Sequence, residues 1–331
     1  MRPVFKDVAV ICPEAVTGGP EAMHQLAYVI RALGGNAGLA YFGGNSSLEV
    51  VGDGSAGKIV CSPDPNSPTR NAYARYEPYP ITEMALTADN LAIFPEMIAV
   101  AAQNHRPGTR AIWWLSVDNA ILFNPQLGYQ TYRDRFFADD SLIHLYQSDY
   151  ARDFLVKNKA RQIYPLFDYT DDLFLAGANR ADQRKSQIAY FPRKGAALAA
   201  ELIAAAPGLD FAPIENMTKA EVKDTLAESA IYLDFGHHPG KDRVPREAAA
   251  MGAIVLLHDQ GAGSSFVDHP LDRDYLFSLA DIRDGSLMAQ LAEILADPAA
   301  HFSRQRYYRQ RIRLEKEEFR QQVQSFFFDG A

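Results

Sequence analysis

The stretch IYLDFGHHPGKDRVPREAAAMGAIVLL, residues 231–257, decides the fold. It opens with an apolar run, passes through a loop rich in glycine and histidine, and becomes alanine-rich up to Gly252. A second apolar run, Ala253 to Leu257, follows directly. This order of strand, glycine loop, helix and strand predicts a βαβ unit with its two strands parallel in one sheet.

The same order occurs at the start of the chain. Val8 to Cys12 is a short β-branched run, and a turn-rich stretch follows it. Apolar residues recur at helical spacing from Glu21 to Leu33, and Gly34 and Gly35 end that helix. Strands alternate with helices along the rest of the chain, so the fold class is α/β with mainly parallel sheets.

The length of 331 residues favours two domains of roughly 150 residues each. We predict Rossmann-like domains at residues 1–167 and 187–303, joined by a polar linker at 168–186. A highly charged terminal helix at 304–331 is expected to pack back on the N-terminal domain. Residues 63–80 show no periodicity and are interpreted as an irregular surface excursion.

Composition limits the cellular setting and the partners. A formal net charge of −8 argues against broad nucleic-acid binding. No apolar run approaches the length of a membrane span, and the two cysteines lack metal-type spacing. We therefore expect a cytoplasmic protein without nucleic-acid partners. The arginine-rich terminal helix suggests peripheral contact with the inner face of the membrane, with a solvated helix face as the alternative.

Several segments, taken in order, resemble the two-domain (GT-B fold) glycosyltransferases. The stretch TGGPE at residues 17–21 resembles their opening, and FPRKG at 191–195 resembles the segment that places a basic residue against the donor diphosphate. Residues 231–257 resemble the donor site of the large E-x7-E family (glycosyltransferase group 1, family 4-like). The residues from Leu287 onward resemble the family's last two helices. The resemblance implies two Rossmann-like domains that face each other across a cleft.

The resemblance departs from the family at one position. Glu247 matches the second glutamate of the motif, but Pro239 stands eight residues before it, where the first glutamate belongs. The family uses that first glutamate close to the donor sugar. The chain is thus similar to a divergent branch, and whether transfer retains or inverts the anomeric configuration stays open.

The candidate donor-binding residues lie in loops after strands or at helix starts, where ligands of α/β sheets bind. Glycines let backbone N–H groups approach a phosphate, cations neutralise it, and a glutamate can accept hydrogen bonds from ribose hydroxyls. The residues are Gly18, Gly19, Arg193, Lys194, His237, Gly240, Lys241, Arg243 and Glu247.

The candidate catalytic residues are Asp118, Glu96 and His238. Asp118 and Glu96 follow strand ends and suit the general base that an inverting transfer needs, although capping or loop hydrogen bonds are the alternative role. His238 lies in the loop before the Glu247 helix. Adjacent histidines also occur in zinc sites, but no third ligand has convincing spacing. We expect no metal and no cofactor beyond the nucleotide-sugar substrate.

The neighbouring residues Trp113 and Trp114 lie in a predicted strand, so their rings should point to opposite faces. One is expected in the core, and the other is a candidate for stacking on a sugar.

The function predicted from the sequence is transfer of a sugar from a nucleotide-sugar to an acceptor hydroxyl. The acceptor is a glycan, a lipid-linked molecule or a small molecule, and the resemblance implies bacterial surface glycan synthesis. A sugar-nucleotide epimerase of the same fold and a non-catalytic nucleotide-sugar-binding module are the alternatives. A nicotinamide dehydrogenase is less consistent, because the first loop lacks the G-x-G-x-x-G spacing.

Overall fold

The computed structural model describes residues 3–52, 57–104, 108–176 and 184–329. The chain divides into two compact units. The first comprises residues 1–168 together with 317–331, and the second comprises residues 169–316. Each unit is built around its own parallel sheet and is Rossmann-like.

The strands described in the first unit are β1 (Asp7–Pro13), β2 (Ala37–Phe42), β3 (Ser47–Gly52), β4 (Gly57–Ser62), β5 (Glu83–Leu86), β6 (Asn90–Pro95), β7 (Thr109–Trp114), β8 (Leu142–Tyr146) and β9 (Gln162–Pro165). Its helices include α1 (Gly18–Ala32), α2 (Pro68–Ala72), α3 (Ala99–Asn104), α4 (Val117–Phe123), α5 (Gln130–Phe137) and α6 (Asp149–Lys157).

The main sheet of the first unit is parallel, with the strand order β2-β1-β6-β7-β8-β9. The residues from Val8 to Cys12 in β1 are all buried, as expected for a strand covered on both faces. β2 pairs with β1 on one side, and β6, which comes later in the chain, pairs with β1 on the other side. The loops after β1 and β6 therefore lie at the topological switch point of this sheet.

A small antiparallel sheet of β3, β4 and β5 was not predicted from the sequence. Only one face of it is covered, where Ile59 and Met84 join the core of the unit. The interpretation of residues 63–80 as an irregular surface excursion holds only in part. Ser67, Tyr73 and Tyr76 in this segment are buried, and the Ser67 side chain caps the short helix α2.

The strands described in the second unit are β10 (Lys185–Tyr190), β11 (Asp210–Pro213), β12 (Ser229–Asp234), β13 (Ile254–His258) and β14 (Leu276–Phe277). The helices are α7 (Asp172–Leu175), α8 (Ala196–Ala205), α9 (Lys219–Glu228), α10 (Arg243–Met251), α11 (Leu279–Arg283), α12 (Ser286–Ala296), α13 (Pro298–Arg304) and α14 (Arg306–Gln324), which continues into the first unit. The parallel order β11-β10-β12-β13-β14 places the switch point between β10 and β12.

The segment predicted as a polar linker is partly buried. Asp168, Thr170 and Asp171 are at most 5% exposed, and α7 lies within the segment. Polar side chains tolerate burial when they are hydrogen-bonded, and Thr170 donates to Glu315 through both its backbone N–H and its hydroxyl. Residues 177–183 of the predicted linker lie outside the described residues.

The predicted terminal helix corresponds to α14, which begins two residues later than predicted, at Arg306, and is followed by a π-helical turn at Ser325–Asp329. The end of the chain packs within the first unit. The backbone N–H of Val4 donates to the carbonyl of Phe327 at 2.8 Å, and that of Phe167 donates to Gln322 Oε1 at 2.8 Å. None of the helices in the described residues is both long enough and apolar enough to cross a membrane.

Candidate functional site

Three loops meet at the carboxyl edge of the sheet in the second unit. They comprise residues 191–195 after β10, 235–242 after β12, and 259–264 after β13. The backbone N–H of Ala262 donates to the carbonyl of His238 at 2.8 Å, which joins the second loop to the third. Two of the three, 191–195 and 235–242, are the loops that the sequence marked for chemistry, and they lie at the same edge of the sheet.

A cluster of alternating charges joins the first two loops. Asp242 Oδ2 accepts hydrogen bonds from both Lys194 Nζ and His238 Nδ1, the latter at 2.8 Å. Asp234, at the end of β12, accepts from the backbone N–H of Gly236 at 2.9 Å and from the Tyr232 hydroxyl at 2.8 Å. His238 Nε2 lies 3.9 Å from Asp234 Oδ1. The cluster thus pairs two carboxylates with one ammonium and one imidazole.

The pKa values in this cluster move in the directions that ion pairing requires. Burial lowers the pKa of Lys194 and of His238, but the carboxylates of Asp242 and Asp234 outweigh burial and raise both above their ordinary values. Burial alone would raise the pKa of Asp242, yet Lys194 and His238 hold it well below its usual range. Lys194 and Asp242 are therefore both charged at neutral pH.

A second charge cluster fixes the start of α10. The buried carboxylate of Glu315 pairs with Lys241 Nζ through Oε1 and with Arg246 Nη1 through Oε2, each at 2.9 Å. The Arg246 side chain is fully buried and also donates to the backbone carbonyls of Lys241 and Asp242, each at 3.1 Å. Lys241, predicted to bind a donor phosphate, is thus engaged by Glu315 in this structure.

The other predicted donor residues lie on the same edge of the second unit. Arg193 and His237 are exposed, and Gly240 is buried in the loop before α10. Arg243 is the first residue of α10, and Glu247 lies one turn further and is 7% exposed. The amino end of a helix attracts anions, so this edge combines backbone N–H groups with cations.

The predicted residues of the first unit lie around its own switch point. Gly18 and Gly19 begin α1, and neither has a positive φ, so the turn itself does not require glycine. Glu96 follows β6 and is 5% exposed, and its Oε2 accepts from the backbone N–H of Leu115 at 3.3 Å. Burial raises the pKa of Glu96 to about 8. Asp118 is half-buried in the first turn of α4.

The expectation that one of the two tryptophans is available for a sugar was wrong. Both Trp113 and Trp114 are fully buried. Trp113 Nε1 donates to the carbonyl of Leu166 at 2.7 Å, and Trp114 Nε1 donates to His144 Nδ1 at 3.1 Å. The strand lies between two covered faces, so alternation of its side chains exposes neither ring.

Sequence reasoning missed the acidic partners of the site, namely Asp234, Asp242 and Glu315. The spacing of four residues between His238 and Asp242 was a usable signal, because both lie in the loop already marked for chemistry. Within the described residues, no group of three or more His, Cys, Asp or Glu side chains is placed to hold a metal ion.

Comparisons with known proteins bear on the fold. No protein-family model matches the chain, and no curated protein matches its sequence. The chain is similar to solved structures along nearly its whole length. Sucrose-phosphate synthase from Thermosynechococcus elongatus is 14% identical, with a TM-score of 0.65 over 97% of this chain and 98% of that one.

Two further similar structures are sugar-ligand complexes. Anabaena HepE in complex with UDP and glucose is 10% identical, with a TM-score of 0.66 over 99% of this chain and 100% of that one. S. aureus TarM in complex with UDP is 9% identical, with a TM-score of 0.59 over 97% of each chain. The expected fold, that of the GT-B glycosyltransferases, is confirmed. The divergent E-x7-E interpretation stays a prediction.

Proposed function

We propose that the protein is a glycosyltransferase that moves a sugar from a nucleotide-sugar donor to an acceptor hydroxyl. The observation that carries the proposal is the position of Lys194. Its partly exposed ammonium lies at the switch point of the second sheet, next to the loop that leads into α10. HepE, which is similar in fold, binds UDP-glucose, and TarM binds UDP.

The donor would bind at the carboxyl edge of the second sheet. Lys194 and Arg243 would neutralise the diphosphate, assisted by backbone N–H groups at the start of α10. Glu247 would accept hydrogen bonds from the ribose hydroxyls. These groups can stabilise the charge on the departing diphosphate without a metal ion, so we propose that the reaction is metal-independent. Unchanged donor binding in chelator would support this, and strict dependence on a divalent metal would contradict it.

The acceptor base is proposed in the first unit. Glu96 follows β6, and Asp118 lies in the first turn of α4, so both are candidates; burial raises the pKa of Glu96 to about 8, so this group would accept a proton from the acceptor only as it ionises near that pH. His238 is fully buried and contacts Asp242, so it would act through that residue and not by touching a substrate.

We further propose that the acceptor is a glycan, lipid-linked or small-molecule hydroxyl and that the reaction belongs to bacterial surface glycan synthesis in the cytoplasm. TarM, of similar fold, is in complex with α-GlcNAc-glycerol. Product analysis with and without an acceptor is the check. Turnover of a nucleotide-sugar to an isomer without acceptor would indicate an epimerase, and tight binding without any turnover would indicate a binding module.

The donor site is tested by calorimetric titration of UDP, GDP and ADP into the wild type and Lys194→Met. Loss of a charged hydrogen bond costs about 1.5–3 kcal/mol, so we expect the variant to bind the preferred diphosphate about tenfold to a hundredfold more weakly. Lys185→Met is the matched control, since Lys185 lies at the other end of β10 and also pairs with a carboxylate, that of Glu228. It should bind like the wild type.

Two results would contradict the proposal. Failure of the wild type to bind any of the three diphosphates would remove the donor site altogether. Equal weakening in Lys194→Met and Lys185→Met would show that the effect is general electrostatics and not a contact at the carboxyl end of β10.

A further inference from the structure

The two donors on Asp242 lie at very different depths in the protein. Lys194 has a side chain that is 32% exposed, that of Asp242 is 21% exposed, and that of His238 is fully buried. Both donors bond the same carboxylate oxygen, Oδ2. The three side chains therefore form a continuous path from an accessible ammonium to an imidazole in the interior.

The lysine is held at two points. A Cβ added at Gly236 would stand 2.7 Å from Cβ and 2.8 Å from Cδ of Lys194, so the lysine stem lies directly over the glycine. The ammonium at the other end is bound by Asp242. A lysine side chain otherwise has several rotatable bonds, and fixing it in advance removes an entropy cost from ligand binding.

The buried end of the path favours a positive charge. His238 Nε2 makes no hydrogen bond within the described residues and faces Asp234, while Nδ1 is bonded to Asp242. The titratable groups around the imidazole come from every loop that packs on it, namely Lys194, Asp234, Asp242, His258 and His269. Two carboxylates thus face a single imidazole, together with one ammonium and two histidines whose pKa values burial lowers.

We propose that Asp242 positions Lys194 for the donor diphosphate, and that His238 takes up a proton from solvent when Lys194 turns to the bound diphosphate. The inference rests on the proposed function. Once the ammonium shares its charge with a diphosphate, Oδ2 of Asp242 keeps His238 as its remaining hydrogen-bond donor in this cluster. A second proton on the imidazole then restores the balance of charge around Asp242.

Proton uptake can be measured with UDP alone. Calorimetric titration in two buffers with different ionisation enthalpies gives the number of protons bound per UDP. The phosphate of UDP has its last pKa at about 6, so we choose pH 7.5–8.5, where UDP is fully ionised and contributes no change of its own. We expect the wild type to take up a fraction of a proton that is largest between the pKa of His238 in the free protein and its higher pKa in the complex, and that falls again above the latter.

Two variants separate the roles. Asp242→Asn keeps an oxygen that can accept from His238 Nδ1 but lacks the charge, so UDP binding should occur without proton uptake. His238→Asn keeps a donor for Asp242 but cannot titrate, and it should likewise bind UDP without uptake. Lys185→Met lies outside the cluster and should show the wild-type uptake at every pH.

The outcomes are distinct for the two proposals. Binding of UDP by the wild type without proton uptake, or wild-type uptake in both Asp242→Asn and His238→Asn, overturns the role of the cluster alone. Failure of the wild type to bind UDP, GDP or ADP refutes the donor site itself. If Asp242→Asn does not fold, His238→Asn decides the question.

Discussion

Replacing Glu315 by glutamine should destabilise the second unit strongly. The Glu315 carboxylate is buried, and it pairs with Arg246, whose side chain is fully buried, and with Lys241. It also accepts two hydrogen bonds from Thr170. Glutamine keeps the shape and loses the charge, so the guanidinium of Arg246 stays out of water without this carboxylate. Removing one partner of a buried ion pair costs about 3–5 kcal/mol.

That loss is large enough to measure by unfolding. The second unit spans residues 169–316, and 1 kcal/mol shifts the Tm of a domain of this size by about 2–4 °C. We therefore expect Tm to fall by about 6–20 °C, with a matching drop in the urea midpoint followed by circular dichroism. Glu228→Gln is the control, because Glu228 and Lys185 form an exposed pair that contributes less than about 1 kcal/mol.

A companion variant tests whether the unpaired cation of Arg246 causes the loss of stability. Adding Arg246→Met to Glu315→Gln removes the buried cation as well, so the double variant should regain part of the lost stability. The reasoning is refuted if Glu315→Gln unfolds within about 1 kcal/mol of the wild type, or if Glu228→Gln loses as much. A double variant less stable than Glu315→Gln would show that Arg246 stabilises by packing and not by its charge.

Two other substitutions test burial and backbone geometry. Burial raises the Glu96 pKa from 4.5 to about 8, so the stability it contributes is full below pH 4.5 and lost as the pH rises through about 8. Urea midpoints should show that Glu96→Gln is as stable as the wild type at pH 4.5 and more stable at pH 8.5, by at most about 5 kcal/mol. Equal stability of the two proteins at both pH values would contradict this. Gly261→Ala puts a Cβ 2.1 Å from the His238 carbonyl oxygen and should lower Tm more than Gly285→Ala does. Gly285 is the control, because it also has a positive φ but no atom lies within 4 Å of an added Cβ.

The order of elements was predictable because the central strands of both main sheets are covered on each face. Such strands are continuous apolar runs in the sequence, as in β1 and β12, and each is followed by a polar loop. These loops lie at the carboxyl ends of parallel strands, so the sequence also indicated which edge of each sheet carries polar chemistry.

The partial burial of residues 63–80 was not predictable in the same way. The few buried residues of this segment contact partners distant in sequence. The Tyr73 hydroxyl donates to the carbonyl of Thr17 at 2.8 Å, and Ser67 donates to Glu14 at 2.7 Å. These residues are 56 and 53 positions apart, so no local period marks the segment as structured. Tertiary hydrogen bonds decided its burial.

In the candidate site, too, local sequence predicted the position of a residue but not its distant partner. The position of Lys194 followed from its place after a strand, but its partner Asp242 is 48 residues away, and Glu315 is 69 residues from Arg246. A sequence shows where a cation enters a loop but not whether a distant carboxylate meets it. The prediction therefore placed cations at the site and missed the anions that hold them.

Those anions change how a diphosphate would be bound. Lys194 is paired with Asp242, so it presents no unbalanced charge at a distance, whereas Lys241 shares the carboxylate of Glu315 with Arg246. Opposite charges that lie side by side cancel beyond a few ångströms, and long-range attraction of simple anions by Lys194 would be weak. A ligand must instead reach the edge of the sheet and draw the ammonium away from its carboxylate. Backbone N–H groups at the start of α10 can donate to phosphate oxygens only in fixed positions. The arrangement therefore favours a diphosphate that is already anchored by its nucleoside and sugar over free phosphate.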